Sequence, residues 1–266
     1  MFIIKKIKLP AFLLFSIVLF VSSCNQKPQL YGTPNVDIAT IQSQFLNWYR
    51  YDKIYIDLSK DYHALNSNSE EISKEEFLEE LSTAKYLVVR MNSAENTTFY
   101  KLIEIPEDGN KEIGNQLAKK ADRELRNLKL LNKPFPDFNL KSLKGNSYQL
   151  SQFKDQYLVL NFWYTTCGKC KKELPDIEAL AQKYKYRDIA FLNISLNEVH
   201  TLNNYLDGKN YQVETLPMNK KYVLDSLSIR LFPTYLIIDP NKKVINVSNN
   251  SRQLEKRVKE IIDELN

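Results

Sequence analysis

Hydrophobic and polar positions along the chain predict two runs of alternating strands and helices, one on each side of a proline-rich break. In the first run, Val36 to about Tyr51 places Ile38, Ile41, Phe45, Trp48 and Tyr49 at helical spacing, and Lys53 to Leu58 alternates like a half-buried strand. Ser73-Lys74-Glu75-Glu76 has the form of a capping box ahead of Phe77, Leu78 and Leu81, which predicts a helix from Lys74 to Ala84. Tyr86–Met91 and Phe99–Ile105 follow as strands, and Ile113, Leu117, Ala121, Leu125, Leu128 and Leu131 mark one face of a long helix. Asn132-Lys133-Pro134-Phe135-Pro136 then stops the helix and forces an extended chain.

Beyond that break, Asp137–Leu140 and Ser147–Leu150 flank Lys144-Gly145-Asn146 as a β-hairpin. Leu158–Tyr164 is short, apolar and β-prone, as a strand buried on both faces should be. Ile177, Leu180, Ala181 and Tyr184 form the apolar stripe of the next helix, and Asp188–Ser195 is a second buried strand. Glu198–Leu206 reads as helix, Tyr235–Asp239 and Lys243–Val247 as strands turning at Pro240-Asn241, and Leu254, Val258, Ile261, Ile262 and Leu265 as the face of a last helix.

Composition narrows the setting. At 266 residues the chain has room for two domains. A formal charge of +5 includes Lys5, Lys6 and Lys8, so the rest carries +2, which is no footprint of nucleic-acid binding. Those lysines precede an apolar run from Leu9 to Val21, of the length of a signal-peptide core and short for a spanning helix. Val21-Ser22-Ser23-Cys24 resembles the lipobox of bacterial lipoproteins, with Val where Leu is commonest. That resemblance implies cleavage after residue 23, lipid on Cys24 and attachment to a membrane, an uncleaved anchor helix being the alternative; either way the body of the protein leaves the cytoplasm. Residues 24–35, with Pro28, Gly32 and Pro34 and no periodicity, read as a tether. The expected partition is 1–23 signal peptide, 24–35 lipidated tether, 36–131 a small α+β domain and 132–266 a second domain.

The chain has three cysteines. With Cys24 assigned to lipid, Cys167 and Cys170 are the only pair left for a protein disulfide, and a loop that short adds little stability. Cys167-Gly168-Lys169-Cys170 lies where a strand gives way to a helix. There, unpaired backbone N–H groups and the positive end of the helix dipole favour a thiolate, the species that carries out dithiol–disulfide exchange. Residues 36–131 offer no such motif. Leu65–Glu76 has Ile72 and Glu76 at the spacing of a calcium-binding loop, but Leu65 stands where an oxygen ligand is needed and Glu70 where the turn glycine is needed. His63 reads as an ordinary surface or partly buried side chain.

From about Phe135 to Asn266 the chain resembles the extracytoplasmic thioredoxin-fold redoxins of the TlpA and ResA type. The resemblance rests on Pro134-Phe135-Pro136-Asp137, Asn161-Phe162-Trp163, Cys167-x-x-Cys170-Lys171-Lys172-Glu173-Leu174-Pro175 and Phe232-Pro233-Thr234. It implies an α/β thioredoxin fold, a central mixed sheet flanked by helices, preceded by the α+β domain, whose counterpart is found on redoxins of the Bacteroidetes group. It further implies an exposed nucleophile at Cys167, a more buried resolving thiol at Cys170 and a cis-proline at Pro233. Phe232 then offers backbone to a bound peptide, Trp163 packs beside the dithiol and Pro175 kinks the helix. Lys169 places a cation beside the pair, and Glu173 either manages protons or, as a first-turn glutamate, serves the helix dipole.

Two positions depart from common patterns. Asn161 replaces the buried aspartate of cytoplasmic thioredoxins, and Thr166 precedes Cys167 where tryptophan is usual. The expected activity is membrane-anchored reduction of disulfides in specific periplasmic proteins, with no cofactor beyond the redox-active disulfide, no metal, and a membrane electron donor or acceptor as partner. The alternatives are an oxidant or isomerase of secreted proteins, and a metal- or partner-binding lipoprotein. For a metal, only His63, His200 and a few methionines can supplement the thiolates, at no recognisable spacing. A peroxiredoxin needs threonine where this chain has Tyr164.

Overall fold

Two five-stranded sheets, each with its own apolar core, account for most of the computed structural model, which describes residues 30–93 and 97–264. The N-terminal segment, including Leu9–Val21 and Cys24, lies outside the described residues. Among those described, no helix is long and apolar enough to cross a membrane.

The N-terminal half runs β1 (Tyr31–Pro34), α1 (Ile38–Ser43), α2 (Phe45–Tyr55), β2 (His63–Leu65), β3 (Glu71–Ile72), α3 (Lys74–Ser82), β4 (Tyr86–Ser93), β5 (Phe99–Glu104) and α4 (Lys111–Leu130). Its sheet order is β1-β4-β5-β2-β3, antiparallel except for the β5–β2 pair. The capping box forms as expected: Ser73 Oγ accepts from the Glu76 amide, and the Glu76 carboxylate accepts from the Ser73 amide at 2.9 Å. Gly114 lets α4 cross the end of α3, because a Cβ there would stand 2.0 Å from the Ala84 carbonyl oxygen.

Two expectations fail in this half. Lys53–Leu58 is not a strand: α2 continues to Tyr55, because Trp48, Tyr51 and Asp52 share the buried face of a helix while Ile54 is 71% exposed. Over six residues an alternating pattern does not separate a strand from the end of a helix. Nor do residues 31–34 belong to a tether. They form β1, an edge strand of the kind that tolerates proline, fastened by the Tyr31 ring packing at a tilt against Phe99 and by its hydroxyl donating to the Ser69 carbonyl.

The C-terminal half runs β6 (Asn139–Lys141), β7 (Ser147–Gln149), β8 (Tyr157–Trp163), α5 (Gly168–Lys183), β9 (Ile189–Ser195), α6 (Val199–Leu206), β10 (Thr215–Pro217), β11 (Thr234–Ile238), β12 (Val244–Ser248) and α7 (Ser251–Glu264). β6 and β7 form the predicted hairpin, with Gly145 at φ +87° in its turn. The main sheet has the order β10-β9-β8-β11-β12, parallel through β10, β9 and β8 and antiparallel thereafter. Alternation along β8 divides the core. Leu158, Leu160 and Phe162 face one layer with Phe135, Leu236 and Val223, while Val159 faces α5 and α7 through Ile177, Leu254 and Val258. Six of the seven β8 residues are buried, which explains its unbroken apolar character.

The described residues from Tyr31 to Glu264 pack as one compact unit. The proline-rich break pairs with the chain at the start of β12: the Asn132 amide donates to the Val244 carbonyl, the Val244 amide to Lys133 and the Phe135 amide to Lys242, with Pro134 opposite Lys243.

Candidate active site

β8 ends at Trp163, and the turn Tyr164-Thr165-Thr166 brings Cys167 to the N-terminus of α5. Cys167 is the N-cap residue, and its sulfur accepts from the Cys170 amide at 3.1 Å. A sulfur in that place meets backbone N–H groups that have no partner in the helix, so the arrangement favours a thiolate when the pair is reduced. Here the two sulfurs are joined, 2.09 Å apart. Cys167 is 7% and Cys170 2% exposed, so the first cysteine is the more accessible, though less exposed than the expected nucleophile.

The Phe232–Pro233 peptide bond is cis, as the resemblance implied, and the Phe232 carbonyl oxygen lies 3.8 Å from Cys167 Sγ. Trp163, Cys167, Cys170, Leu174 and Leu202 form one apolar cluster, bordered by Tyr164, Tyr205, Tyr211 and Phe232. Tyr164 and Phe232 meet edge to face at 5.2 Å beside the cysteines.

The structure revises two roles. Lys169 Nζ donates to the Asn249 carbonyl at 2.6 Å and lies 3.8 Å from Glu173, so its charge is engaged by those oxygens. Glu173 is not in the first turn of α5, which holds no acidic residue, so the helix-dipole role falls away. Its Oε2 instead accepts from the buried Tyr235 hydroxyl at 2.8 Å and from the Ser251 amide at 2.9 Å, joining α5 to β11 and α7. Burial first, then this hydrogen bond to a carboxylate, pushes the Tyr235 phenol far above its ordinary pKa. Asn161 is buried and donates to Asn193 Oδ1 at 2.8 Å, its register partner on β9. Pro175 lies inside α5 as expected.

The sequence pattern does not announce Asn249, which the fold brings to the site. Its Nδ2 donates to Thr234 Oγ1 at 2.9 Å and to the Pro233 carbonyl at 3.4 Å. The run Ser248-Asn249-Asn250-Ser251 reads as an ordinary turn, and nothing in its spacing reveals which loop it touches. The histidines are placed elsewhere: His63 pairs with Glu71 at 2.6 Å in the N-terminal sheet, and His200 on α6 meets Asn204 at 3.2 Å. Among the described residues, no three His, Cys, Asp or Glu side chains are grouped to hold a metal ion.

A disulfide at a strand-to-helix turn, faced by a cis-proline loop on a sheet of this order, defines a thioredoxin-like thiol–disulfide oxidoreductase. Residues 131–247 match the AhpC/TSA family. The thiol-disulfide oxidoreductase ResA of Halalkalibacterium halodurans is 27% identical over 128 residues, covering 48% of this chain and 72% of that protein. ResA of Geobacillus kaustophilus is 26% identical over 130 residues, covering 47% and 75%. Among solved structures, the thioredoxin domain of a thiol-disulfide oxidoreductase from Bacteroides vulgatus is similar, with 23% identity, a TM-score of 0.46, and coverage of 50% of this chain and 97% of that one.

Proposed function

We propose that this protein is a lipid-anchored, extracytoplasmic reductant of disulfides in specific partner proteins. The observation that carries the reading is Cys167 as N-cap of α5, its sulfur on the Cys170 amide and facing the Phe232-Pro233 loop. In the reduced enzyme the Cys167 thiolate attacks one sulfur of a partner disulfide. That bond breaks, a mixed disulfide forms, and the partner's other sulfur leaves as a thiolate and takes up a proton. Cys170, losing its proton, attacks Cys167 Sγ, releases the second partner thiolate and closes the Cys167–Cys170 bond. The partner gains two electrons and two protons, and a membrane dithiol donor must return two electrons to the enzyme. Phe232 and Pro233 present backbone to the partner, and Trp163 packs the dithiol from within. The proposal also takes residues 1–23 as a cleaved signal, Cys24 as the lipid site, residues 24–30 as a tether cut short by β1, and two domains, the first extended back from residue 36 to take in β1 and running to residue 131, the second spanning 132–266.

The test pairs a redox titration of the Cys167–Cys170 couple with trapping by a Cys170→Ser variant. A potential near that of thioredoxin, about −270 mV, with mixed disulfides that vanish in Cys167→Ser, is the expected result. A potential near about −120 mV would make the protein an oxidant instead. Labelling with radioactive palmitate checks the anchor, which requires Cys24→Ser to lose both label and membrane association.

A further inference from the structure

The sequence of the N-terminal half offers no motif that carries chemistry, yet one line of side-chain hydrogen bonds leads from it to the loop that faces the disulfide. On α4, Asn127 Nδ2 donates to Asn249 Oδ1 at 3.0 Å and to Glu124 Oε2 at 3.2 Å. Glu124 is buried, and Arg123 Nε donates to its other carboxylate oxygen at 3.0 Å. Asn249 passes the constraint on, because its amide nitrogen donates to Thr234 Oγ1 and to the Pro233 carbonyl. Thr234 Oγ1 in turn donates to the Leu231 carbonyl at 2.7 Å, across the base of the Leu231–Thr234 turn. The backbone of Asn249 reaches the other wall of the site, where its carbonyl accepts from Lys169, between the two cysteines. An amide side chain has one acceptor and one donor end in fixed relation. With Oδ1 held by Asn127, the Asn249 amide has its Nδ2 aimed at the cis-proline turn.

We infer that Asn127 and Asn249 are positioning residues, through which the N-terminal half holds the Leu231–Thr234 turn in the conformation that receives a partner protein. Neither touches the reacting sulfurs. Their effect falls on recognition of an extended protein substrate, which uses the loop backbone, and not on the intrinsic reactivity of Cys167 toward a small disulfide. The substrate part of this inference rests on the oxidoreductase reading. The mechanical part, transmission from α4 to the turn, does not.

Two measurements on the full-length protein separate these parts. Hydrogen exchange, read by mass spectrometry on peptides covering residues 229–236, reports the turn without redox turnover. Asn127→Ala is expected to speed exchange there, and Ser59→Ala, which breaks the separate contact of Gln253 Nε2 with Ser59 Oγ at 3.1 Å, is expected not to. Insulin reduction, with dithiothreitol supplying electrons, is then compared with reaction of the reduced enzyme with dithiobis(nitrobenzoate). Asn127→Ala and Asn249→Ala should each raise the insulin KM roughly three- to tenfold, within the range of coupling through packed networks, while kcat, the small-disulfide rate and the reduction potential hold. The double variant should be no worse than Asn249→Ala alone, since both cut one line. Unchanged exchange in Asn127→Ala overturns the inference, as does an equal effect of Ser59→Ala or a parallel loss of small-disulfide reactivity. If Asn249→Ala does not fold, Asn127→Ala on the other side of the same bond decides. If exchange responds while the wild type does not reduce insulin, transmission stands and the recognition role falls with the reductase reading.

Discussion

Glu173 shows how one carboxylate can hold a site together while standing in a sequence motif associated with proton handling. One of its oxygens accepts both the Tyr235 hydroxyl and the Ser251 amide, tying α5 to β11 and to the start of α7. Glu173→Ala leaves a buried phenol and a helix-end amide without that acceptor. A loss of about 2–3 kcal/mol in urea unfolding is expected, against less than half of that for Glu173→Gln, which keeps an acceptor oxygen. Equal losses in the two variants would show that the carboxylate's charge, not its hydrogen bonds, is what matters. At this scale the motif was legible and the partners were not. Cys167, Cys170 and Pro233 announce themselves by neighbours in sequence. Tyr235 and Asn249 act on the same site from 62 and 80 residues beyond Glu173 and Lys169, across contacts that only the folded chain creates.

Elements with strong local signals formed where the pattern placed them. The capping box started α3, and the apolar stripe of α4 and the continuous apolar run of β8 gave their positions. The failures have a common cause, since β1 and the end of α2 are decided by tertiary contacts that override weak local preference. Asp52 makes the point energetically. It is 1% exposed on α2, a poor place for a carboxylate, yet Lys120 of α4 donates to both its oxygens, at 2.6 Å for Oδ1. Burial still raises the Asp52 carboxyl above its ordinary pKa of 3.8, against the opposing pull of Lys120. Lys120→Met removes that pull and should cost about 3–5 kcal/mol at neutral pH. The sign with pH follows. The folded variant binds the Asp52 proton more tightly than the unfolded chain, so its deficit grows as pH rises above about 3.8 and shrinks as acid protonates the group. Thermal melts of both proteins from pH 3.5 to 7.5 check this, and a gap that widens in acid would contradict it. The double variant Asp52→Leu/Lys120→Met should recover much of the loss.

Across the whole molecule, the proline-rich break was legible as a boundary but not as a joint. Its prolines end α4 as read, yet the break itself is stitched by three backbone hydrogen bonds, two to Val244 at the start of β12 and one to Lys242 just before it, and Phe135 is buried in the C-terminal core with residues of β8 and β11. The break is thus held to the second sheet while continuing directly from the first half's longest helix, so one continuous segment joins the two cores. The protein has two tryptophans, and each lies buried in a different core: Trp48 among the helices of the N-terminal half, Trp163 beside the disulfide. Single-tryptophan variants made by Trp48→Phe or Trp163→Phe therefore report the halves separately, with the remaining cysteine pair kept oxidised. In the parent protein the two fluorescence transitions should coincide, as expected of one cooperative unit. Phe135→Ala removes a ring from the C-terminal core at the joint, at a cost of about 3–5 kcal/mol. If the joint couples the halves, the Trp163 transition should move to lower urea and the Trp48 transition should follow only in part, splitting one curve into two. Coincident curves after the substitution would mean that the other contacts along the seam, Asn127 with Asn249 and Gln253 with Ser59, are enough to keep the cores cooperative without Phe135.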